Sequence, residues 1–288
     1  MHKLSVRACK TEGENMNINE FLDVREREKP LDKMAVGGGF CGIFRTIACI
    51  GDSLSSGEFE SLDEKGVVGW HDYFEYSWGQ YMARDIGATV YNFSRGGMTA
   101  KEYCDSFAKQ SGFWNVRLAA QAYIIALGVN DMCHLERYEC GFGAMADVDF
   151  ENEENNKKTF AGYYCKIIQK VRKIQPQSKI FVMTMPREAG LTEGAEYENY
   201  EKHAEFLREL PKYFRNLYVL DFRKYAPVYD KEFDDKYRMS GHLNAAGYLL
   251  TARMVESYID YIIRANYKDF AQVGFIGTGF YNKNEKPL

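Results

Sequence analysis

The sequence predicts an α/β fold: a three-layer α/β/α sandwich around a five-stranded parallel sheet. Two observations carry that reading. Five short runs are apolar on both faces, and most are followed within a few residues by Gly, Ser, Asn or Pro. Between them lie segments of helical periodicity, and strands that alternate with helices need crossovers, which build parallel sheets.

In chain order, residues 1–40 are polar and read as an arm packed on the main body, with a solvated REREKPLDK stretch and a turn at Gly37-Gly38-Gly39. Residues 41–288 read as one domain. Its predicted strands are Thr46–Ile50, Thr89–Phe93, Tyr123–Leu127, Lys179–Met183 and Leu217–Leu220. Helices are expected over Ser77–Ile86, Ala100–Lys109, Thr159–Ile174 and Tyr197–Leu210. A final helix is marked by Tyr248, Ala252, Val255, Ile259 and Ile262, which recur at steps of three and four, with Arg253, Glu256 and Asp260 off that stripe. Two long connections, 54–76 and 132–157, leave the carboxyl ends of the first and third strands. Open α/β sheets bind ligands at that edge, so both are candidates for shaping a cleft.

Composition narrows the function. The chain has 288 residues, 45% hydrophobic and 27% charged, which excludes disordered and fibrous classes. A net charge of −4 argues against a nucleic-acid surface. Seven cysteines, an odd number without a Cys-x-x-Cys pair, argue against a disulfide framework. The N-terminus has no apolar run long enough for a signal-peptide core, Met16 is a second candidate start, and no stretch is apolar enough to span a membrane. A cytoplasmic protein that touches no membrane is expected.

The chemistry-bearing residues sit where strands end. The first strand runs into Gly51-Asp52-Ser53-Leu54-Ser55, which puts Ser53 where a nucleophile stands exposed, although the run is not a G-x-S-x-G elbow. Asp52 is expected to fix the turn through local hydrogen bonds. After the second strand, Asn92-Phe93-Ser94-Arg95-Gly96-Gly97 can aim a glycine N–H into a site. After the third, Leu127-Gly128-Val129-Asn130-Asp131 offers the Asn130 amide to an oxyanion. Arg187, after the fourth, is a candidate substrate contact. His242, in Ser240-Gly241-His242-Leu243-Asn244, is the histidine at a strand-to-helix junction and can act as base. Each feature alone is explained by a turn or a cap. Together they place a nucleophile, oxyanion donors and a base on one sheet edge, the parts needed for acyl transfer.

At these residues the chain resembles the SGNH, or GDSL, hydrolase superfamily. GDSLS, NFSRGG, LGVND and GHLNAAG match its four motif blocks in order across residues 46–247. The resemblance implies a flavodoxin-like SGNH hydrolase fold with Ser53 as nucleophile and His242 as base. The oxyanion hole would be formed by the N–H groups of Ser53 and Gly97, with Gly96 the alternative glycine, and by Asn130. It further implies a serine esterase of acetylesterase type, acting on a small-molecule or oligosaccharide ester without metal or organic cofactor. One position departs from the family pattern. The aspartate usual three residues before the histidine is replaced by Met239. Three arrangements stay open: another carboxylate such as Asp234 or Asp235 reaches His242, a backbone carbonyl serves a Ser-His dyad, or the protein is a non-hydrolytic carbohydrate- or lipid-binding protein. The first two are ranked ahead of the third, because the other positions are intact.

Other readings fare worse. GFIGTG at 274–279 has the wrong glycine spacing for a dinucleotide site. Cys133, His134 and Cys140 lack a metal-ligand frame, so no metal is expected. The 15% aromatic share suits core packing as well as sugar stacking.

Overall fold

The five predicted strands form one sheet in a computed structural model of the chain, which describes residues 24, 26–133, 135 and 140–278. In chain order the strands are β1 (Thr46–Gly51), β2 (Glu58–Leu62), β3 (Val68–Asp72), β4 (Thr89–Ser94), β5 (Ala122–Ala126), β6 (Lys179–Met183), β7 (Leu217–Leu220), β8 (Arg238–Met239) and β9 (His242–Leu243). The main sheet has the order β4-β1-β5-β6-β7 with every pairing parallel. β2 and β3 form an antiparallel hairpin, as do the two-residue strands β8 and β9.

Side chains alternate across each strand, so each strand feeds two cores. Ala48, Ile50, Tyr123, Ile125, Ile180 and Val182 face one layer. Ile47, Cys49, Ile124 and Phe181 face the other. Helices α1 (Ser53–Ser56), α2 (Trp78–Ile86), α3 (Phe160–Ile174), α4 (Ala195–Glu209) and α5 (Ala245–Ala265) complete the layers. The buried side chains of α2 and α5 join the Ile47 face, and those of α3 and α4 join the Ala48 face. Covering both faces is why the strands read as continuous apolar runs.

Helix starts are set by side-chain caps. Ser77 accepts from Gln80 N–H at 3.2 Å, Thr159 from Gly162 N–H at 3.2 Å, and Asn244 from Gly247 N–H at 3.0 Å. Each such cap contributes roughly 1 kcal/mol. The first two caps start their helices one residue inside the expected bounds, at Trp78 and Phe160. The predicted helix at 100–109 is one helical run whose middle, Tyr103–Phe107, is a π turn.

Residues 1–23 of the expected arm, Met16 included, lie outside the described residues, as does residue 25. The 3-10 segment Val36–Ile43 packs on α5: Ala35 N–H donates to Ser257 Oγ at 2.9 Å and Phe40 N–H to Asp260 Oδ1 at 2.8 Å. That packing corrects the expected polarity of α5. Glu256 is buried, because this segment covers a second side of the helix, and burial pushes its carboxyl up to about 8. Among the described residues no helix is long and apolar enough to cross a membrane.

The chain leaves β1 for β4 on one side and returns to β5 on the other. That reversal opens a crevice at the carboxyl ends of the central strands. The connection at 54–76 is not an irregular loop: it holds the β2–β3 hairpin and a turn at Phe74–Tyr76.

Candidate active site

β1 ends at Gly51, and Asp52 caps α1 by accepting from Leu54 N–H at 3.1 Å. Burial pushes the Asp52 carboxyl up to about 7, against the hydrogen bond from Leu54. Ser53 follows, 7% exposed. Neither its N–H nor its hydroxyl has a partner among the described residues.

β4 delivers the second segment. Ser94 Oγ donates to Cys49 O at 2.8 Å, fastening β4 to β1, and Arg95 turns away to Glu102 and the Phe107 ring. The two glycines then differ. Gly96 N–H donates to Asp72 Oδ2 at 3.2 Å, and a Cβ on Gly96 would strike the Glu58 carboxylate. Gly97 has φ +71°, a left-handed conformation suited to glycine, and its N–H has no acceptor among the described residues. Gly97 is thus the glycine with a donor to spare.

After β5, Asn130 donates one amide hydrogen to Met98 O at 3.1 Å, leaving the second free. Asp131 behind it accepts from Ala100 N–H at 3.1 Å, and burial pushes its carboxyl up to about 7. His203 packs under the same turn at 3.1 Å from Leu127 O. Burial lowers it to about 4, so the neutral ring donates from Nε2 to that carbonyl.

His242 opens β9, its backbone paired with Met239 of β8, and its side chain is 18% exposed. Two carboxylates face the ring. Glu60 Oε1 lies 2.7 Å from Nδ1 and Glu58 Oε1 lies 3.1 Å from Nε2. Glu60 also accepts from Gly241 N–H at 3.0 Å. Burial raises the Glu60 carboxyl, but hydrogen bonds from His242, Ser240 and Gly241 outweigh it and hold the group below the usual carboxylate range. Burial raises Glu58 above that range, with the nearby His242 opposing.

Strand geometry explains why two glutamates converge on one ring. In β2, residues 58 and 60 share a face and Phe59 takes the other. Phe59 packs at 5.6 Å from the Tyr248 ring and 5.5 Å from Tyr76, and Tyr248 OH donates to Glu58 O at 2.7 Å. That anchoring turns Glu58 and Glu60 toward His242.

The other sequence candidates lie elsewhere. Asp235 pairs with Lys231 at 2.7 Å and Asp234 with Arg238 at 3.4 Å; neither has a contact with His242. They sit on the helix Lys231–Tyr237, which carries them toward its own basic residues. Arg187 is exposed, with no side-chain hydrogen bond or ion pair among the described residues. Cys133 contacts Tyr200 OH at 3.0 Å, Cys140 is buried, and His134 is not among the described residues. Among those residues no group of three or more His, Cys, Asp or Glu is placed to hold a metal.

Glu58, Glu60 and Asp72 were missed by the sequence reading. A signal was present: Glu58-Phe59-Glu60 alternates, and Asp63-Glu64-Lys65-Gly66 supplies a turn before the next run. Ser53 and His242 do not hydrogen-bond directly; the group facing Nε2 is the Glu58 carboxylate.

No curated protein matches this chain significantly. Among solved structures, a Lactobacillus plantarum protein aligns at TM-score 0.54 and 18% identity, covering 76% of this chain and 97% of that one. A family two carbohydrate esterase from Clostridium thermocellum, solved with cellohexaose, aligns at 0.51 and 17%, covering 76% of this chain and 64% of that one. Est24, a carbohydrate acetylesterase from Sinorhizobium meliloti, aligns at 0.50 and 16%, covering 76% and 99%. At such identities the likeness is one of fold. The sequence profile of the GDSL-like lipase/acylhydrolase family matches residues 49–250, from within β1 to the second turn of α5. With all four strand-end segments inside that match, the chain belongs to the GDSL-like lipase/acylhydrolase family.

Proposed function

We propose that this chain is a serine esterase that removes short acyl groups, acetyl foremost, from a carbohydrate or small metabolite through an acyl-enzyme on Ser53. The observation that carries the reading is the set of unclaimed donors: Ser53 N–H, Gly97 N–H and the second Asn130 amide hydrogen, on three neighbouring strand ends. Unpaired donors cost free energy in a folded protein, and donors waiting for an oxyanion lower the barrier to forming one.

In the reaction, His242 Nε2 takes the Ser53 hydroxyl proton as Oγ attacks the ester carbonyl carbon. The three donors hold the resulting oxyanion. Collapse breaks the acyl–oxygen bond, and His242 passes its proton to the departing alcohol. Water then attacks the acyl-enzyme with His242 as base, releasing the acid and restoring Ser53. Glu58 must leave Nε2 for the first step, so substrate entry displaces its carboxylate. Support for a carbohydrate carrier comes from the two esterase neighbours and from Trp70 and Tyr73, aromatic rings exposed on and beside the hairpin.

The test is fluorophosphonate labelling with the modified residue mapped by peptide mass spectrometry. Labelling at Ser53 that disappears in His242→Ala is expected. A folded protein that stays unlabelled at Ser53 overturns the reading and leaves sugar or lipid binding, measured by calorimetry, as the alternative.

A further inference from the structure

The family motif puts an acid three residues before the histidine, and Met239 stands there in this chain. Nδ1 of His242 nevertheless faces a carboxylate, and it comes from the other end of the domain. We propose that Glu60 is the positioning acid of this esterase, supplied by the hairpin that follows the nucleophile rather than by the segment that precedes the histidine.

This rests on the esterase reading above. The 2.7 Å contact from Nδ1 to Glu60 fixes the ring and selects the tautomer that leaves Nε2 to act as base. When Nε2 takes the Ser53 proton, the Glu60 charge stabilises the imidazolium. Glu60 stays a carboxylate throughout: the proton moves from Ser53 Oγ to Nε2 to the leaving alcohol, and in the second half from water to Nε2 to Ser53.

Glu60 is better placed than any other acid near the ring. Glu58 faces Nε2, the nitrogen that must be free for Ser53, at ion-pair distance, and its side chain has no hydrogen bond among the described residues. Asp72 is taken by Gly96 N–H and the Ser56 hydroxyl, and Asp52 by Leu54 N–H. Glu60 is held at both ends. Its carboxylate also accepts from Gly241 N–H, next to the histidine, and its strand is wedged by Phe59 against Tyr248. Hydrogen bonds that keep Glu60 ionised agree with the role.

The experiment compares the full-length protein with Glu60→Gln, Glu60→Asp and Ser53→Ala. It reads Ser53 labelling and 4-nitrophenyl acetate turnover across about pH 5 to 9, alongside thermal melting. Glu60→Gln should lower kcat on the order of 10²–10⁴-fold with KM little changed and melting preserved. Glu60→Asp, which keeps the charge, should recover at least about tenfold of that loss. The pH profile of kcat/KM should change shape in Glu60→Gln and return toward the parent's in Glu60→Asp, because the charge beside Nδ1 is removed in one and kept in the other. The other ionisable groups around the site, Asp52, Glu58, His71 and Asp72, are unchanged in that variant.

Turnover in Glu60→Gln within about threefold of the parent, with Ser53→Ala dead, overturns the Glu60 assignment and leaves the esterase standing. A parent that neither labels nor turns over fails at the earlier step, and the assignment falls with it. Should Glu60→Gln not fold, proton NMR of the parent decides. A low-field imidazole N–H resonance that vanishes in His242→Ala supports the contact, and its absence overturns it.

Discussion

The chain interrupts its sheet twice, after β1 and after β5, and both insertions are rich in carboxylates that meet opposite fates. In the second, Asp147 pairs with Lys157 at 2.8 Å, Glu154 with Lys166 and Lys170 at 2.7 Å each, and buried Glu153 with Lys170 at 3.4 Å and Lys173. Asp149 accepts from Asn155 and from the Glu151 and Asn152 N–H groups. All four are held below the usual carboxylate range. In the first, Glu58, Glu60 and Asp72 have no lysine or arginine partner among the described residues; they face His242, Ser56 and backbone N–H groups. Carboxylates tied to lysines stiffen the packing of α3. A carboxylate tied to an imidazole sets where that ring carries its proton. Similar composition thus serves stability in one insertion and, on the proposed esterase reading, chemistry in the other.

The largest expected effect sets the two insertions against each other. Replacing Glu58 and Glu60 together by Gln should lower kcat on the order of 10²–10⁴-fold with little change in stability. Replacing Glu153 and Glu154 together by Gln should leave kcat untouched. It should cost about 1–3 kcal/mol in urea denaturation, since Glu153 is buried and its bonds are charge-assisted. Equal losses of kcat in both pairs would erase the distinction.

A smaller effect separates the two glutamates of β2. Glu58→Gln alone should speed fluorophosphonate labelling of Ser53 severalfold. The neutral amide competes less well for Nε2, and the ring turns more readily to the serine. A tenfold slowing instead would place Glu58 within the chemistry, not in its way.

Why one half of the candidate site was legible in the sequence and the other was not is a matter of locality. Ser53, Gly97, Asn130 and His242 each end a strand or open a helix, so a local pattern marks each and the parallel topology gathers them. Glu60 lies 182 residues from His242 in sequence. Its strand has five residues, too few for alternation to stand out within a stretch read as a loop. Asp234 and Asp235 were chosen for nearness along the chain, but one helix turn pairs them with Lys231 and Arg238. The five main strands were legible because burial on both faces leaves a strong apolar signal. The hairpin, half exposed, leaves almost none.

The smallest expected effect is a difference of sign in stability against pH. Hydrogen bonds from Lys166 and then Lys170 hold Glu154 down to about 2, below its ordinary 4.5. A group depressed in the fold contributes stability that is full above its unfolded value and is lost as pH falls through the folded one. Glu154 is 56% exposed, so solvent screening limits this to about 0.5–1 kcal/mol. Glu58 is shifted the other way by burial. Its proton is held more tightly in the fold than in the unfolded chain, so its contribution is full below about 4.5 and is lost as pH rises through the raised value. Urea midpoints measured across about pH 2 to 7 should therefore lose part of their acid-side fall in Glu154→Gln. In Glu58→Gln they should lose part of their decline toward neutral pH. Slopes that change in the same direction in both variants would mean that Glu58 and Glu154 are held alike, and the contrast between them would reduce to position on the sheet edge.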